Sequence, residues 1–171
     1  MRERKEGKDP SLLWAPWRMD YILADKKARQ CIFCGGGPRP DRERLILHRN
    51  RHSLVMMNRY PYAYAHLMVA PVRHVDRVQK LERREMAELL FSLGKSIEIL
   101  RKAFHPDGFN VGMNLGRVAG AGVLHHIHFH VVPRWNGDTN FMPALAEVRV
   151  IPEHLDETYR RLFPYFRRLR R

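Results

Sequence analysis

The pattern of apolar and polar positions predicts one long amphipathic helix in the middle of the chain. Between residues 82 and 104, large apolar side chains recur at the 3.6-residue spacing of a single helix face. This stripe consists of Met86, Leu89, Leu90, Leu93, Ile97, Leu100 and Phe104. The His-Pro-Asp-Gly sequence that follows at 105–108 is typical of a helix end. We expect the stripe to face the core of the protein.

Shorter apolar runs, separated by turn-forming residues, predict a set of strands around this helix. The predicted strands cover residues 45–48, 53–58, 65–70, 109–114, 126–132 and 147–151. Two further helices are predicted, a short one near Pro16 within residues 12–23 and a terminal one over 155–169 that Pro164 breaks. Hairpin-linked strands with inserted helices indicate an α+β fold with a mostly antiparallel sheet.

The length of 171 residues and the 44% share of hydrophobic residues suit one packed domain. We predict a flexible basic N-terminus over residues 1–10, a domain over 11–155 and a basic C-terminal helix or tail over 156–171. No apolar run approaches the ~20 residues of a membrane-spanning helix, so no membrane partner is expected. The basic N-terminus lacks the apolar segment of a secretory signal, and only two cysteines are present, so the expected location is a reducing cytoplasm.

The chain is strongly basic, with 31 Lys and Arg against 18 Asp and Glu and a formal net charge of +13. Such an excess attracts polyanions, either nucleic acid or small phosphorylated ligands. Charge runs are more often a solvated face than a binding surface, so nucleic acid is the less favoured partner. Charge alone does not choose between these partners, and the choice depends on a site.

The strongest chemical signal is a row of histidines at His126, His128 and His130. On a strand, alternate side chains share a face, so we expect these three imidazoles to project from one side of the sheet. The alternate residues between them are apolar and can pack on a core. Such a row supports either a metal site or covalent catalysis at phosphorus, in which one imidazole attacks and its neighbours handle protons and charge.

A loop with three glycines, residues 116–122, precedes this row and favours catalysis at phosphorus. Glycines allow backbone N–H groups to approach a phosphate closely. A glycine loop alone is a weak indication, and its position directly before the histidines makes it stronger.

The two cysteines, Cys31 and Cys34, have the spacing of half a tetrahedral zinc site. The alternatives are a redox pair and two unconnected buried thiols. Glycine follows Cys34 where a thioredoxin-like motif has the start of a helix, which disfavours the redox pair.

The sequence His126-Ile-His128-Phe-His130-Val-Val resembles the signature of the histidine triad superfamily of nucleotide hydrolases and transferases. The resemblance covers roughly residues 12–153. Within the superfamily, residues 132–143 and the Trp14–Arg18 segment are similar to the branch of bacterial diadenosine tetraphosphate phosphorylases.

The resemblance implies a role for each matching residue. His128 is the implied nucleophile on the α-phosphate, forming a nucleotidyl-histidine intermediate, and His126 and His130 complete the implied catalytic triad. The implied substrate contacts are Asn58 to the ribose, Asn114 to the phosphate, and the loop amides around Gly122 and Val123, which with His130 stabilise charge. Many triad proteins have Gly-Gln-Ser before the triad. Here Ala121-Gly122 stands there, so no Ser or Gln role is transferred.

The resemblance also implies a metal site and an assembly. Family members with this cysteine pair complete a structural zinc site with two histidines, and the matching positions give the ligand set Cys31, Cys34, His74 and His126. The implied fold is a half-barrel of about five antiparallel strands with the long helix alongside, paired into a homodimer. No organic cofactor is expected.

The expected function is therefore phosphorolysis or hydrolysis of a dinucleoside polyphosphate such as diadenosine tetraphosphate. A nucleoside phosphoramidase that releases AMP and a non-catalytic nucleotide- or RNA-binding module are the alternatives. An attacking imidazole at His128 separates the enzymes from the binding module, because a pure binder has no need of one. The sequence leaves open whether phosphate or water is the acceptor.

Overall fold

The computed structural model describes residues 31–34, 39–138 and 153–169, which form one antiparallel sheet with two helices. The five strands have the order β1-β2-β3-β5-β4 across the sheet. In chain order the elements are β1 Ile46–Arg49, β2 Ser53–Met57, β3 Leu67–Pro71, helix α1 Arg83–Phe104, β4 Gly108–Gly112, β5 Phe129–Arg134 and helix α2 Leu155–Arg167. A 3₁₀ turn, Val78–Lys80, precedes α1. The α+β class and the antiparallel sheet are confirmed.

Both faces of the sheet are covered, because strand residues alternate between two apolar clusters. Along β2, Val55 and Met57 belong to a first cluster with side chains from both helices, whereas Leu54 and Met56 belong to a second. All five residues of β2 are buried as a result. The second cluster consists of Phe33, Ile46, Leu54, Met56, Met68 and Ala70, with Cys31 and Val123 packed against it. The segment that contains the cysteines therefore covers the sheet face opposite the helices.

Helix α1 has the predicted length, but part of its predicted apolar stripe is wrong. Met86 is 39% exposed and Leu90 is 53% exposed, while Ser92 and Ser96 are buried. The reason is local, because Ser92 Oγ lies 2.7 Å from Ser53 Oγ. The polar start of β2 thus requires a hydrogen-bonding partner on the helix face that packs on it.

Helix α2 runs through Pro164 without the predicted break. Proline in a helix interior costs a hydrogen bond and clashes with the preceding turn, at about 3 kcal/mol. Leu162 and Phe166, on either side of Pro164, are both fully buried in the first cluster. Burial of these two large side chains offsets the local penalty and holds both halves of the helix on the sheet. The basic terminal segment thus shares the core of the preceding residues.

Strand β5 begins later and ends later than predicted, at Phe129 and Arg134 rather than at residues 126 and 132. Its ladder with β3 stops at the pair Val69↔Phe129, and Pro71 has no N–H to extend it. Ile127 donates instead to the carbonyl of Val75, at 2.8 Å. At the other end, β3 pairing stops at Val131, so Pro133 lies where only β4 is alongside.

Three sequence predictions lie outside the described residues: the flexible N-terminus 1–10, the short helix near Pro16 and the strand 147–151. Across the residues that the structure does describe, neither helix is both long and apolar enough to cross a lipid bilayer.

Candidate active site and adjoining metal cluster

The four predicted metal ligands come together at the edge of the second cluster. The ligand atoms of Cys31, Cys34, His74 and His126 all lie within 4.8 Å of one another. His74 Nδ1 is 3.0 Å from Cys34 Sγ, and His126 Nδ1 is 3.2 Å from Cys31 Sγ and 3.5 Å from Cys34 Sγ. The sequence separation of up to 95 residues is closed by the sheet, because His74 follows β3 and His126 precedes β5.

Each segment of this cluster is anchored to the body of the protein. The Arg44 guanidinium donates to the carbonyls of Ile32, at 3.0 Å, and Cys34, at 2.7 Å. Arg73, next to His74 in the chain, donates to both carboxylate oxygens of Glu85 at the start of α1, at 2.8 and 2.6 Å. These contacts place the thiols and His74 on fixed backbone.

The donor set fits a tetrahedral zinc ion. Two thiolates and two imidazoles are a common structural zinc set, and Zn–S and Zn–N bonds of ~2.3 and ~2.0 Å place neighbouring ligand atoms roughly 3.5 Å apart. The observed N···S distances of 3.0 to 3.5 Å are close to that spacing. Burial lowers the pKa of His126 to about 4 and raises the pKa of Cys34 to about 11. The imidazole is therefore neutral, as a ligand must be, and a metal would have to displace the thiol proton.

His126 is turned toward the cysteines. Its Nδ1 faces their thiols and its Nε2 donates to the Pro71 carbonyl at 2.8 Å. The prediction that all three triad histidines share one face of a strand is wrong, because β5 begins only at Phe129. The strand alternation that the prediction assumed does not reach His126 and His128.

His128 is buried and held in one orientation. Its Nδ1 lies 3.0 Å from the backbone carbonyl of His126. A carbonyl only accepts, so Nδ1 carries the proton and Nε2 carries the lone pair. Burial lowers the pKa of His128 below its usual value, which favours the neutral ring at pH 7. A neutral imidazole with a fixed Nε2 lone pair is a nucleophile.

His130 is held by a second chain of hydrogen bonds. The backbone N–H of Tyr62 donates to His66 Nδ1 at 3.0 Å, which makes that nitrogen an acceptor. His66 Nε2 then carries the proton and donates to His130 Nδ1 at 2.9 Å. The remaining proton of a neutral His130 is consequently on Nε2. The rings of His128 and His130 are 4.8 Å apart, so this donor lies beside the nucleophile.

The glycine loop before the triad is closed on itself. Gly116 and Gly120 have φ values of +88° and +82°, a conformation that side chains rarely adopt. Asn114 Nδ2 donates to the carbonyl of Gly120 at 3.4 Å. Gly122 is exposed, and Val123 packs against the second cluster. The loop therefore presents backbone near the triad while one end is fixed in the core.

Asn58, predicted to contact a ribose, uses both ends of its amide within the protein. Its Oδ1 accepts from the backbone N–H of Tyr60 at 3.0 Å, and its Nδ2 lies 3.3 Å from His66 Nδ1. Its contact with a sugar stays a prediction. The structure adds Phe33, Arg44 and Tyr62, which the sequence did not single out. For Phe33, the only signal was its place between the two cysteines.

Comparison with known proteins places this site in a family. The profile of the HIT domain matches residues 39–137. A protein from Mycobacterium tuberculosis named AP-4-A phosphorylase is 38% identical over 158 residues, which cover 88% of this chain and 81% of that protein. The asymmetrical bis(5'-nucleosyl)-tetraphosphatase of Schizosaccharomyces pombe is 31% identical over 93 residues, covering 54% and 50% of the two chains.

A solved structure adds a comparison for the metal cluster. It is described as a Zn-bound histidine triad family protein from Mycobacterium smegmatis. It superposes with a TM-score of 0.58 at 25% identity, covering 73% of this chain and 85% of that one.

Proposed function

Because the chain belongs to the HIT domain family, we propose that it cleaves dinucleoside polyphosphates such as diadenosine tetraphosphate through a nucleotidyl-histidine intermediate. The observation that carries the proposal is the buried His128, whose Nδ1 is bound to a carbonyl and whose Nε2 lone pair is available for attack. The relatives named AP-4-A phosphorylase and bis(5'-nucleosyl)-tetraphosphatase support this substrate class.

The first step is attack by His128 Nε2 on the α-phosphorus of the dinucleotide. A P–N bond forms, the P–O bond to the rest of the polyphosphate breaks, and ATP leaves from diadenosine tetraphosphate. The electron pair of the broken bond stays on the ATP oxygen. In the second step an oxygen of inorganic phosphate or water displaces His128, which gives ADP or AMP and restores the imidazole.

The surrounding groups stabilise charge rather than activate the nucleophile. Phosphoryl transfer needs fixed donors around the phosphate more than it needs a base. We assign this role to His130, whose Nε2 proton is set by the chain through His66, and to the loop amides around Gly122 and Val123. Asn114, which closes the loop, is assigned to phosphate positioning, and Asn58 is assigned to the ribose.

The test of the function is incubation of the purified protein with diadenosine tetraphosphate, with and without inorganic phosphate, and separation of the nucleotides. ADP together with ATP only when phosphate is present identifies a phosphorylase. AMP together with ATP in both conditions identifies a hydrolase. No loss of diadenosine tetraphosphate in either condition contradicts the proposal.

We also propose that Cys31, Cys34, His74 and His126 hold a structural zinc ion. When bound, zinc supplies a cross-link between three chain segments. The ligand geometry and the zinc-bound family member support this assignment. Purified protein is expected to contain about one zinc per chain. Cys31→Ser should lose the metal and lower Tm, and fully stable metal-free wild-type protein would contradict the assignment.

A homodimer and a cytoplasmic location complete the proposal. Strand β4 lies at an edge of the described sheet with Val111 exposed, and α1 exposes Met86, Leu90 and Phe91. A second copy of the chain would cover such apolar surface. Light scattering should give twice the 20.3 kDa chain mass, and a monomer at working concentration would contradict the dimer. The two free thiols suit a reducing compartment.

A further inference from the structure

The side chain of Phe33 connects the metal cluster to the nucleophile. Phe33 lies between Cys31 and Cys34 in the chain and is fully buried. Its ring centroid is 5.1 Å from that of His126 and 4.7 Å from that of His128. One aromatic ring thus contacts both a metal ligand and the attacking imidazole, and the mechanism above gives it no role.

The hydrogen bond of His128 does not by itself fix the imidazole. The bond from Nδ1 to the His126 carbonyl sets the tautomer and the place of one nitrogen. The χ2 torsion of histidine is broad, so the ring can still tilt about that bond and carry Nε2 away from the phosphorus. The ring of Phe33 lies against it at an interplanar angle of 33° and blocks this tilt on one side.

Phe33 can limit the tilt because it is itself held firmly. Its ring packs in the second cluster with Ile46 and Leu54. The Arg44 guanidinium binds the carbonyl of the residue before Phe33 and that of the residue after it. Backbone and side chain are therefore both anchored to the sheet.

We propose that Phe33 is a positioning residue that holds the His128 imidazole in the orientation for attack. The proposal makes the Cys31–Cys34 segment part of the catalytic apparatus as well as a source of metal ligands. It rests on the proposed function, because the orientation of Nε2 affects turnover only if Nε2 attacks the substrate. Misplacement of a reacting group by about 1 Å costs on the order of 100-fold in rate.

The test compares Phe33→Leu with Leu54→Ala at equal zinc content. Leu keeps an apolar side chain at position 33 but removes the flat ring. Leu54 is a fully buried member of the same cluster, so Leu54→Ala loosens that cluster without removing the ring on His128. We expect Phe33→Leu to lower kcat by about 10- to 100-fold with KM within about threefold. Leu54→Ala should keep the kcat of the folded protein while lowering Tm.

A nitrogen-15 spectrum of the histidine side chains gives a readout that is independent of turnover. Wild-type His128 should show the single tautomer with the proton on Nδ1, and Phe33→Leu should show a mixture of both tautomers. Unchanged kcat in Phe33→Leu, equal kcat losses in both variants or an unchanged His128 spectrum would overturn the proposal. If the wild type fails to cleave dinucleoside polyphosphates, the proposed function fails, and the spectrum still tests the role of Phe33.

Discussion

The protonation of two histidines is set by which backbone atoms they meet. A carbonyl at Nδ1 leaves His128 with a lone pair on Nε2, while a backbone N–H at the far end of the His66 chain leaves His130 with a proton on Nε2. Neighbouring rings of the same residue type thus take opposite roles, one as nucleophile and one as donor.

Replacement of His128 should abolish the chemistry and spare binding. His128→Ala is expected to lower kcat for diadenosine tetraphosphate by roughly 10³-fold or more, because covalent catalysis loses its attacking atom. Nucleotide binding, measured by calorimetry, should persist. His125→Ala is the matched control, since His125 is an exposed histidine in the same segment. A His128→Ala enzyme with near wild-type kcat would remove His128 from the mechanism.

The sequence predicted the members of the site better than their orientation. Motif resemblance selected the cysteines and histidines, and the structure brings the four predicted metal ligands together. The direction of His126 was not predictable from alternation, because it depends on where Pro71 ends the pairing of another strand. The contact of Phe33 with two imidazoles depends on tertiary packing that no local pattern encodes.

At the scale of elements, the N-terminus of α1 is built around one buried carboxylate. The Glu85 side chain accepts from the Glu82 backbone N–H at 2.8 Å as part of a capping box and binds Arg73 through both oxygens. Chiefly through the hydrogen bonds from Arg73, the pKa of Glu85 is lowered to about 2. The same ion pair fixes the backbone next to His74, so helix capping and metal-ligand placement share one residue.

Loss of this carboxylate should destabilise the protein and weaken its pH dependence. Because the folded pKa of about 2 lies below the ordinary value of 4.5, the ionised group stabilises the fold above about pH 4.5. That contribution disappears as the pH falls toward 2. Glu85→Gln should lower the free energy of unfolding at pH 7 by about 1–3 kcal/mol, the upper value being reduced because Arg73 is half exposed.

Urea unfolding of both proteins at pH 7 and at pH 3 measures this effect. The difference between Glu85→Gln and the wild type should shrink at the lower pH, where the wild-type carboxylate begins to lose its advantage. A difference that is the same at both values would show that the ion pair contributes no pH-dependent stability.

The limits of prediction at this scale are also physical. The 3.6-residue period located α1 correctly, but it could not reveal that the start of β2 needs a serine opposite it. Proline propensity likewise predicted a break in α2, and the burial of Leu162 and Phe166 overrides that local preference. In both cases a partner distant in sequence decides the outcome.

At the scale of the whole molecule, the charge of +13 is concentrated partly at the C-terminus. Leu169 packs against the first cluster, so deletion of the terminal residues would disturb the core along with the charge. Substitution is therefore the cleaner experiment. Its targets are Arg167, Arg168, Arg170 and Arg171.

Replacing these four arginines by glutamine should leave kcat/KM for diadenosine tetraphosphate nearly unchanged. We expect this because they lie far in sequence from the triad and serve solubility. Filter binding to RNA at several salt concentrations provides the second measurement. Tight RNA binding by the wild type, with a salt slope that falls by roughly one for each phosphate that the variant no longer neutralises, would contradict this expectation.

The wide separation of the metal ligands along the chain has a consequence for folding kinetics. Cys34 and His74 are 40 residues apart, and Cys31 and His126 are 95 apart, so all ligands meet only after long loops have closed. Zinc should therefore be captured after the main barrier to folding. An interaction absent from the transition state slows unfolding and leaves the folding rate unchanged. Stopped-flow measurements with zinc and with a chelator should show equal refolding rates and slower unfolding with zinc, which would make the ion a kinetic lock on a chain already folded.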